Sequence, residues 1–280
     1  MVIPLVITQD TPQNLYNQYG IINDQVLIHF LEIPVNKSHD VMLSDTTLVG
    51  TTLYSLVANG SCRYGNIAVL EIEFTDDFTG IEHHEFYNTP LANNKYYNGL
   101  ATNKSHFWVI EMEGNTYNKT IEIDDQTHDL CYYVINIVGF TRNGSVFENQ
   151  TLTFEDVYTL SYLQELDNYM PWGLPVCPYD LPYPLRIQYW NDSLYILEGI
   201  GFVGHGFLQL NANSLERELL KTMAFQNYGQ YYVECGSEAF DIDENGTLWT
   251  GSTRWVWIND QELQGAGHNI YRYNIVSGAR

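Results

Sequence analysis

The stretch Asp241-Ile-Asp-Glu-Asn-Gly-Thr-Leu-Trp249 decides the fold, because it places a turn between two short strand patterns. Its central dipeptide, Asn245-Gly246, is strongly preferred in two-residue β-hairpin turns, where positive φ angles are needed. The nine residues therefore predict a strand, a turn and a second strand.

The same pattern occurs at two other places in the chain. Residues 19–31 and 189–197 each place strand-like residues on both sides of an Asn-Asp turn. In the last two copies, Asn191-Asp-Ser-Leu-Tyr195 aligns with Asn245-Gly-Thr-Leu-Trp249 at an offset of 54 residues. The alignment continues more loosely from 204–211 to 267–274. Three copies of one hairpin indicate an internal repeat.

The remaining chain contains mostly strand-like runs that are rich in β-branched and aromatic residues. They lie at 67–80, 107–113, 119–123, 131–140 and 145–154. The best helix candidate is the segment 214–223, where Ser214 is a suitable cap and Leu215, Leu219 and Leu220 form an apolar stripe. The repeat alignment offers an alternative for this segment, namely a turn followed by an outer strand.

Five of the nine prolines lie within residues 171–184, so this segment forms neither a helix nor a central strand. One interpretation is a boundary between two β domains. We favour a long connection inside a single domain covering residues 1–280, because repeat-like hairpins lie on both sides of the segment.

Residues 237–278, together with 185–225, resemble blades of β-propellers of the lactonase-like and NHL-like kind. The resemblance rests on Asp243-Glu-Asn-Gly-Thr-Leu-Trp249 and on Ile270-Tyr-Arg-Tyr-Asn274 followed by Ser277-Gly278. It implies an all-β propeller with little helix. At roughly 45 to 55 residues per blade, the chain would hold about five or six blades.

The charge of the chain bears on its partners and its location. It has 34 acidic and 12 basic residues, a formal net charge of −22, which repels phosphate backbones and argues against a nucleic-acid partner. The apolar run at 1–7 is too short to span a membrane, and it lacks the basic start of a signal peptide. We expect it to form a first strand, and we expect no transmembrane segment.

Acceptor sequons of the form Asn-x-Ser/Thr exceed the number expected by chance, which is about three for this composition. Eight occur, at Asn36, Asn59, Asn103, Asn118, Asn143, Asn149, Asn191 and Asn245. The excess predicts N-glycosylation of an exported protein, and export favours disulfides over free thiols. Two disulfides in three alternative pairings are then available to the cysteines, which are Cys62, Cys131, Cys177 and Cys235.

Three further groups of residues are candidate sites. Asp241, Asp243 and Asn245 match the first half of a calcium loop, but Trp249 and Ser252 occupy the ninth and twelfth positions, so we favour an ordinary hairpin turn. His205 and His268 occupy comparable repeat positions and are candidate acid or base groups, with structural histidines as the alternative. Trp255 and Trp257 are two residues apart on one predicted strand, so their side chains share one face, where they either bind a sugar or pack between blades.

The sequons, the abundant Tyr and Asn and the few lysines also make the chain similar in style to envelope or virion surface proteins of archaea and their viruses. We therefore expect a non-enzymatic, extracellular glycoprotein of a cell or virion surface, acting in recognition, attachment, or envelope or capsid assembly. Its expected partners are other surface or virion proteins or host-cell glycans, in an oligomer or larger assembly. We expect it to need no cofactor, with bound Ca²⁺ as the alternative. The alternative is a secreted propeller lyase or hydrolase with a divalent cation in its central channel.

Overall fold

The computed structural model describes residues 41–59, 68–77, 80–92, 95–154, 163–164, 183–199, 205–223, 232–235, 240–258 and 261–276. These residues form sixteen β-strands in four antiparallel sheets, and helical backbone occurs only at Phe154 and at 163–164. The expected all-β class is confirmed. Within this described part of the chain, no helix has the length and apolar character that a membrane crossing requires.

Sheets A and B are simple meanders, in which each strand pairs with the next one along the chain. Sheet A consists of β1 (Val41–Val49), β2 (Thr52–Asn59), β3 (Ala68–Phe74) and β4 (Ile81–Asn88). Sheet B consists of β5 (Tyr96–Thr102), β6 (His106–Ile123), β7 (Gln126–Thr141) and β8 (Val146–Leu152).

Sheet C repeats this meander, whereas sheet D varies it. Sheet C consists of β9 (Tyr183–Trp190), β10 (Ser193–Gly199), β11 (His205–Asn211) and β12 (Arg217–Met223). Sheet D consists of β13 (Tyr232–Cys235), β14 (Phe240–Ile242), β15 (Thr247–Ile258) and β16 (Gln261–Asn274). Because β16 pairs along nearly all of β15, the short strands β13 and β14 share the other edge of β15. When the sheets are compared below, β14, β15 and β16 count as the first, second and third strands of sheet D.

Two of the three predicted hairpins lie in the described residues, and both are confirmed. Asn191 and Asp192 form a two-residue turn with φ of 48° and 60°, so Trp190 pairs directly with Ser193. The second hairpin forms with a longer turn than the predicted two residues: the Asp243 N–H donates to the Thr247 carbonyl at 3.0 Å, so residues 244–246 form the turn. Of the predicted Asn245-Gly246 pair, Gly246 alone has a positive φ, of 73°. Positive φ at Asn and Asp is tolerated because their short polar side chains bond locally. The hairpin predicted at 19–31 and the strand predicted at 1–7 lie outside the described residues.

The strand registers of sheets C and D confirm the repeat residue by residue. In sheet C, Ser193 pairs with Asn211 and Gly199 pairs with His205. In sheet D, the corresponding pairs are Thr247 with Asn274 and Thr253 with His268. The second strands are therefore offset by 54 residues and the third strands by 63. The additional residues of sheet D lie between Thr253 and His268, where β15 and β16 continue beyond the equivalents of Gly199 and His205.

One backbone hydrogen bond recurs at the turn ends of three sheets. The last residue of the third strand, or the residue directly after it, donates its N–H to the carbonyl of the residue that precedes the second strand. The three bonds, each 2.9 Å long, run from Phe74 to Thr51, from Ala212 to Asp192 and from Ile275 to Gly246. Sheets A, C and D thus share a local geometry as well as a strand order.

An aromatic residue occupies the same place in the second strand of every sheet, two residues after the strand begins. The four residues are Tyr54, Trp108, Tyr195 and Trp249. Each follows a large apolar residue, so the pattern is Leu-Tyr, Phe-Trp, Leu-Tyr and Leu-Trp. The copies in sheets A and B were not predicted from the sequence.

The sheets pack side by side in chain order. Their first strands are neighbours: β5 contacts both β1 and β9, and β14 contacts β9. Apolar side chains fill the spaces between the sheets. Tyr54 and Leu56 of sheet A pack with Phe107 of sheet B, while Trp108 and Ile110 of sheet B pack with the buried side chains of sheet C.

The helix hypothesis for 214–223 was wrong, and the alternative of a turn and an outer strand is confirmed. Leu215 has a φ of 57°, which a right-handed helix does not allow, and its side chain is fully buried. The chain then enters β12, which pairs with β11. Tertiary pairing outweighs the modest preference of a ten-residue segment for helix.

Only the last two residues of the proline-rich segment 171–184 are described. They begin β9, an edge strand whose register shifts opposite Pro184, between Leu197 and Glu198. An edge position and an irregular register are where strands accept proline, since proline cannot donate a ladder hydrogen bond. The single-domain interpretation of residues 1–280 stays a prediction.

Candidate functional site

The turns of the four sheets lie at one end of the molecule, which we call the turn face. In an antiparallel meander, the turn between strands one and two lies at the same end as the turn between strands three and four. The turn face is defined by residues 50–51, 75–77, 80, 103–105, 142–145, 191–192, 212–216 and 243–246.

Contacts between sheets bring these turns together. A Cβ added at Gly50 of sheet A would lie 3.8 Å from Lys104 Nζ of sheet B. The indole of Trp108 in sheet B donates to the Ala212 carbonyl of sheet C at 3.0 Å. Gly246 of sheet D packs so closely on Trp190 of sheet C that an added Cβ would lie 2.7 Å from the indole ring. The turn face is therefore continuous from sheet A to sheet D.

Four of the predicted glycosylation sites lie on the turn face. Asn143, Asn191 and Asn245 are exposed there, whereas Asn103 is half-buried. Of the other sequons, Asn118 and Asn149 are exposed on β6 and β8, and Asn59 ends β2, where only its backbone is described. Asn36 lies outside the described residues.

The side chains of Asn143 and Asn103 both close their own turns. Asn143 Oδ1 accepts from the Ser145 N–H at 3.1 Å and from the Thr141 hydroxyl. Asn103 Oδ1 accepts from the N–H groups of Ser105 at 3.0 Å and His106 at 2.8 Å. An asparagine side chain that bonds the backbone two residues later stabilises a turn in this way.

Tyr189 of β9 hydrogen-bonds within its own hairpin. Its hydroxyl donates to Asp192 Oδ1 at 2.9 Å. Burial, together with this bond to Asp192, raises the pKa of Tyr189, and the Asn103 side chain partly offsets the rise.

The carboxylate of Asp243, one of the candidate calcium ligands, is occupied by donors of its own turn. Asp243 Oδ1 accepts from the N–H groups of Asn245 at 3.0 Å and Thr247 at 2.9 Å, and Oδ2 accepts from Trp249 Nε1 at 3.1 Å. These bonds, that of Thr247 first, lower the pKa of Asp243. Asp241 Oδ1 accepts from the Ile242 N–H. This geometry is that of a capped hairpin turn.

The described residues contain no group of three or more His, Cys, Asp or Glu side chains that could hold a metal ion. For four other candidate residues only the backbone is described. His205 and His268 lie at equivalent positions of the third strands of sheets C and D. Trp255 pairs with Val233 in the ladder, and Trp257 pairs with Glu262.

Cys131 is disulfide-bonded. It pairs across the ladder with the sequon residue Asn118, and its Sγ lies 3.3 Å from Asn118 Oδ1. A disulfide sulfur has no proton to donate, so this is a contact and not a hydrogen bond. Cys235 ends β13, where its backbone alone is described, and Cys62 and Cys177 lie outside the described residues.

Sequence reasoning missed an ion-pair network that joins sheets A and B. Arg142, in the turn after β7, lies 2.9 Å from Glu71 Oε2 of β3, as an ion pair whose angles fall outside those of a hydrogen bond. Its guanidinium also donates to the hydroxyls of Tyr54 at 3.1 Å and Tyr87 at 2.9 Å, and lies over the Tyr87 ring. No local signal could reveal this network, because its members are far apart in the sequence.

A second missed network surrounds Glu111 of sheet B. Glu111 Oε1 accepts from Lys95 at 3.1 Å and from Asn136 at 3.0 Å, and Oε2 accepts from Tyr97 at 3.0 Å. Burial alone would raise the pKa of Glu111, but the bonds from Asn136, Lys95 and Tyr97 outweigh burial, and the pKa is lowered. Both networks pair their carboxylates with basic groups, an arrangement that suits stability.

No family model matches this chain, and no curated protein matches it. Among solved structures, a europium-containing methanol dehydrogenase is similar at 11% identity with a TM-score of 0.34, covering 76% of this chain and 36% of that chain. A structure from a study of two prolyl endopeptidases is 8% identical with a TM-score of 0.26, covering 85% of this chain and 41% of that chain. This chain thus spans less than half of either neighbour. TM-scores this low carry no argument about fold or activity.

Proposed function

We propose that this chain is a non-enzymatic, N-glycosylated protein of an extracellular surface, on a cell or a virion. The observation that supports this proposal most is the exposure of its sequon asparagines. Of the six whose side chains are described, five are exposed, namely Asn118, Asn143, Asn149, Asn191 and Asn245. Attached glycans need solvent-facing positions, and an exported chain is where such sequons are used.

We also propose that the four sheets are blades of a β-propeller. The supporting observations are the four-stranded meanders of sheets A, B and C, the first strands that neighbour one another in chain order, and the equivalent registers of sheets C and D. The hairpin pattern at 19–31 would supply a further blade, which brings the number toward the five or six implied by the resemblance. In a propeller, radial repetition leaves only short, protected strand edges.

The protein acts, in this proposal, by recognition and attachment or by assembly of an envelope or capsid. Its partners are other surface or virion proteins or host-cell glycans. Nucleic acid is not among the proposed partners, because a net charge of −22 repels its phosphate groups.

Mass spectrometry of protein from its natural source tests the glycoprotein proposal directly. We expect hexose-containing modifications on at least some sequon peptides, and a protein whose sequon asparagines are all unmodified would refute it. Binding of the isolated protein to cells and to glycan arrays then separates attachment from a purely assembling role.

A second candidate function is a secreted lyase or hydrolase with a divalent cation in the propeller channel. The observation that favours it is the equivalence of His205 and His268, which puts two acid–base side chains at matching positions of neighbouring sheets. Calorimetric titration with Ca²⁺ tests this candidate, with the double variant His205→Ala, His268→Ala as a control. Absence of heat in the unaltered protein, or the same affinity in the variant, would argue against it.

A further inference from the structure

We propose that the face of sheet D that points away from sheet C binds an acidic sugar, that is, a hexopyranose carrying a carboxylate. The binding residues are Trp249, with Asp241 on one side of it and Arg272 on the other. We call these three residues the Trp249 site. This role rests on the proposed function, in which host-cell glycans are among the partners, and it gives the glycan a place and a chemical class.

The second-strand aromatic of sheet D lacks the cover that its equivalents have. In sheets A, B and C, the aromatic packs against the next sheet, as Trp108 stacks on Tyr189 of sheet C at a centroid distance of 5.3 Å. Tyr54, Trp108 and Tyr195 are therefore only 1 to 2% exposed. Trp249 is 41% exposed, so much of its indole is open to a ligand.

The strand register places two charged side chains beside this indole. Leu248 packs against sheet C, so its neighbour Trp249 faces the opposite way. Trp249 pairs directly with Asp241 of β14 and with Arg272 of β16, and directly paired residues share a face. Both charged residues are exposed. Because neighbouring strands are about 4.8 Å apart, the backbones of Asp241 and Arg272 lie about 9.6 Å apart, with the indole between them.

The indole is fixed in orientation, and the guanidinium beside it is available. Trp249 Nε1 donates to Asp243 Oδ2 at 3.1 Å, which holds the ring from one edge. Within the described residues, Arg272 has no hydrogen bond or ion pair. It is one of 12 basic residues in a chain with 34 acidic ones, so it forms a local exception to the repulsion of anions.

The three side chains of the Trp249 site match the three kinds of group on an acidic sugar. The C–H groups of a pyranose ring pack on an indole, an arginine binds a carboxylate through two parallel N–H···O bonds, and an aspartate accepts from sugar hydroxyls. A covering protein sheet fits less well, because it would bury Asp241 and Arg272 on opposite sides of the indole, and unpaired buried charges are costly. A single sugar leaves both charges in contact with water.

Calorimetric titration of the glycosylated protein with methyl glucuronide and with a methyl sialoside tests the site, with methyl glucoside as the neutral control. We expect at least one acidic sugar to bind about tenfold more tightly than the glucoside, because a carboxylate–guanidinium pair adds a charge-assisted hydrogen bond. Arg272→Gln should remove this preference. Trp249→Ala should weaken binding of all the sugars about tenfold or more, and circular dichroism should show that this variant stays folded.

The matched control is Phe147→Ala, which removes another exposed aromatic, 37% exposed on sheet B, and should bind as the unaltered protein does. Failure of both acidic sugars to bind, an unchanged preference in Arg272→Gln, or an equal loss in Phe147→Ala would overturn the proposed site. Glycosylated sequons would still leave the glycoprotein proposal standing.

Two other occupants of the Trp249 site are distinguished by further measurements. Tighter binding by Asn245→Gln would show that the chain's own glycan covers the indole. A dimer in sedimentation that Trp249→Ala dissociates would show that a second copy of the chain covers it. Either result would overturn the acidic-sugar site, whereas unchanged affinity in Asn245→Gln and the same sedimentation of both proteins would support it.

Discussion

Truncation of Trp108 tests whether the second-strand aromatic holds neighbouring sheets together. The side chain is 1% exposed, stacks on Tyr189 and donates to the Ala212 carbonyl. Removing a buried Trp side chain costs about 3 to 5 kcal/mol through lost burial and the cavity that remains. The orphaned carbonyl adds about 1 kcal/mol. We expect Trp108→Ala to lower the free energy of unfolding by about 5 kcal/mol, which corresponds to roughly 10 to 20 °C in melting temperature.

The matched control is Trp249→Ala, at the equivalent position of sheet D. Trp249 is 41% exposed, and its main polar contact is the bond to Asp243 Oδ2. We expect a loss of about 1 kcal/mol, the usual contribution of one hydrogen bond. A milder variant, Trp108→Phe, keeps an aromatic ring and removes the indole donor, so it should fold and lose about 2 kcal/mol.

Urea unfolding followed by far-ultraviolet circular dichroism measures these differences without relying on tryptophan fluorescence, which the substitutions alter. The urea midpoint and the slope are both needed, because a changed slope would indicate a changed denatured state. Equal losses in Trp108→Ala and Trp249→Ala would refute the reasoning that packing against the next sheet sets the cost at this position.

Three further predictions concern single contacts. Gly99→Ala should destabilise by about 2 to 3 kcal/mol, because φ is 69° and the new Cβ would lie 2.8 Å from Ile187 on β9. Gly50→Ala should cost about 1 kcal/mol, because φ is 67° but the new Cβ would make only an ordinary contact, 3.8 Å from Lys104 Nζ; equal melting temperatures of the two variants would contradict this. Arg142→Ala should lower the free energy of unfolding by about 2 kcal/mol, because it leaves the Glu71 carboxylate without its cation, at a site where solvent partly screens the ion pair. Arg142→Lys should recover part of this loss, and urea unfolding measures both variants. The pKa of Glu111 is lowered in the folded chain, so its ionised form stabilises the fold above about pH 4.3, the ordinary pKa of a glutamate, and this stability is lost as pH falls through the folded pKa. In Glu111→Gln the free energy of unfolding should therefore fall less steeply with pH in that window. An acid-unfolding profile identical to that of the unaltered protein would count against the network.

The parts of the fold that were predictable from the sequence are those with a strong local signal. Asn191-Asp192 and Gly246 specify tight turns by their tolerance of positive φ, and the strands beside them have the expected composition. The alignment of His205 with His268 was predictable as well, because each lies six residues before the asparagine that ends its strand, Asn211 or Asn274.

Other parts depended on contacts that no local pattern encodes. The turn at 103–105 uses Asn-Lys-Ser, which is a weaker turn signal than Asn-Gly, so the copy of the repeat in sheet B went unnoticed. The segment 119–123 was predicted as a strand separate from 107–113, whereas both belong to the 18-residue β6. At 214–223, pairing with β11 decided the structure against a local preference for helix.

In the candidate site, too, some features have a local sequence signal and others depend on tertiary contacts. The sequon motif identifies asparagines by their neighbours in the chain, and it treats Asn103 and Asn143 alike. In the folded chain Asn103 is half-buried whereas Asn143 is exposed, a difference that packing sets and the motif does not encode. The pairing of Arg142 with Glu71 is equally non-local.

The hydrogen bond that recurs at the turn ends of sheets A, C and D also bears on how the chain can be altered. It joins the end of the third strand to the turn between the first and second strands, so residues inserted at this end of the sheet would break it. The connections between second and third strands, at 60–67, 124–125, 200–204 and 259–260, differ in length from sheet to sheet at the opposite end. Epitope tags or affinity peptides inserted there should leave the fold intact, and the same loops are where related chains would be free to diversify.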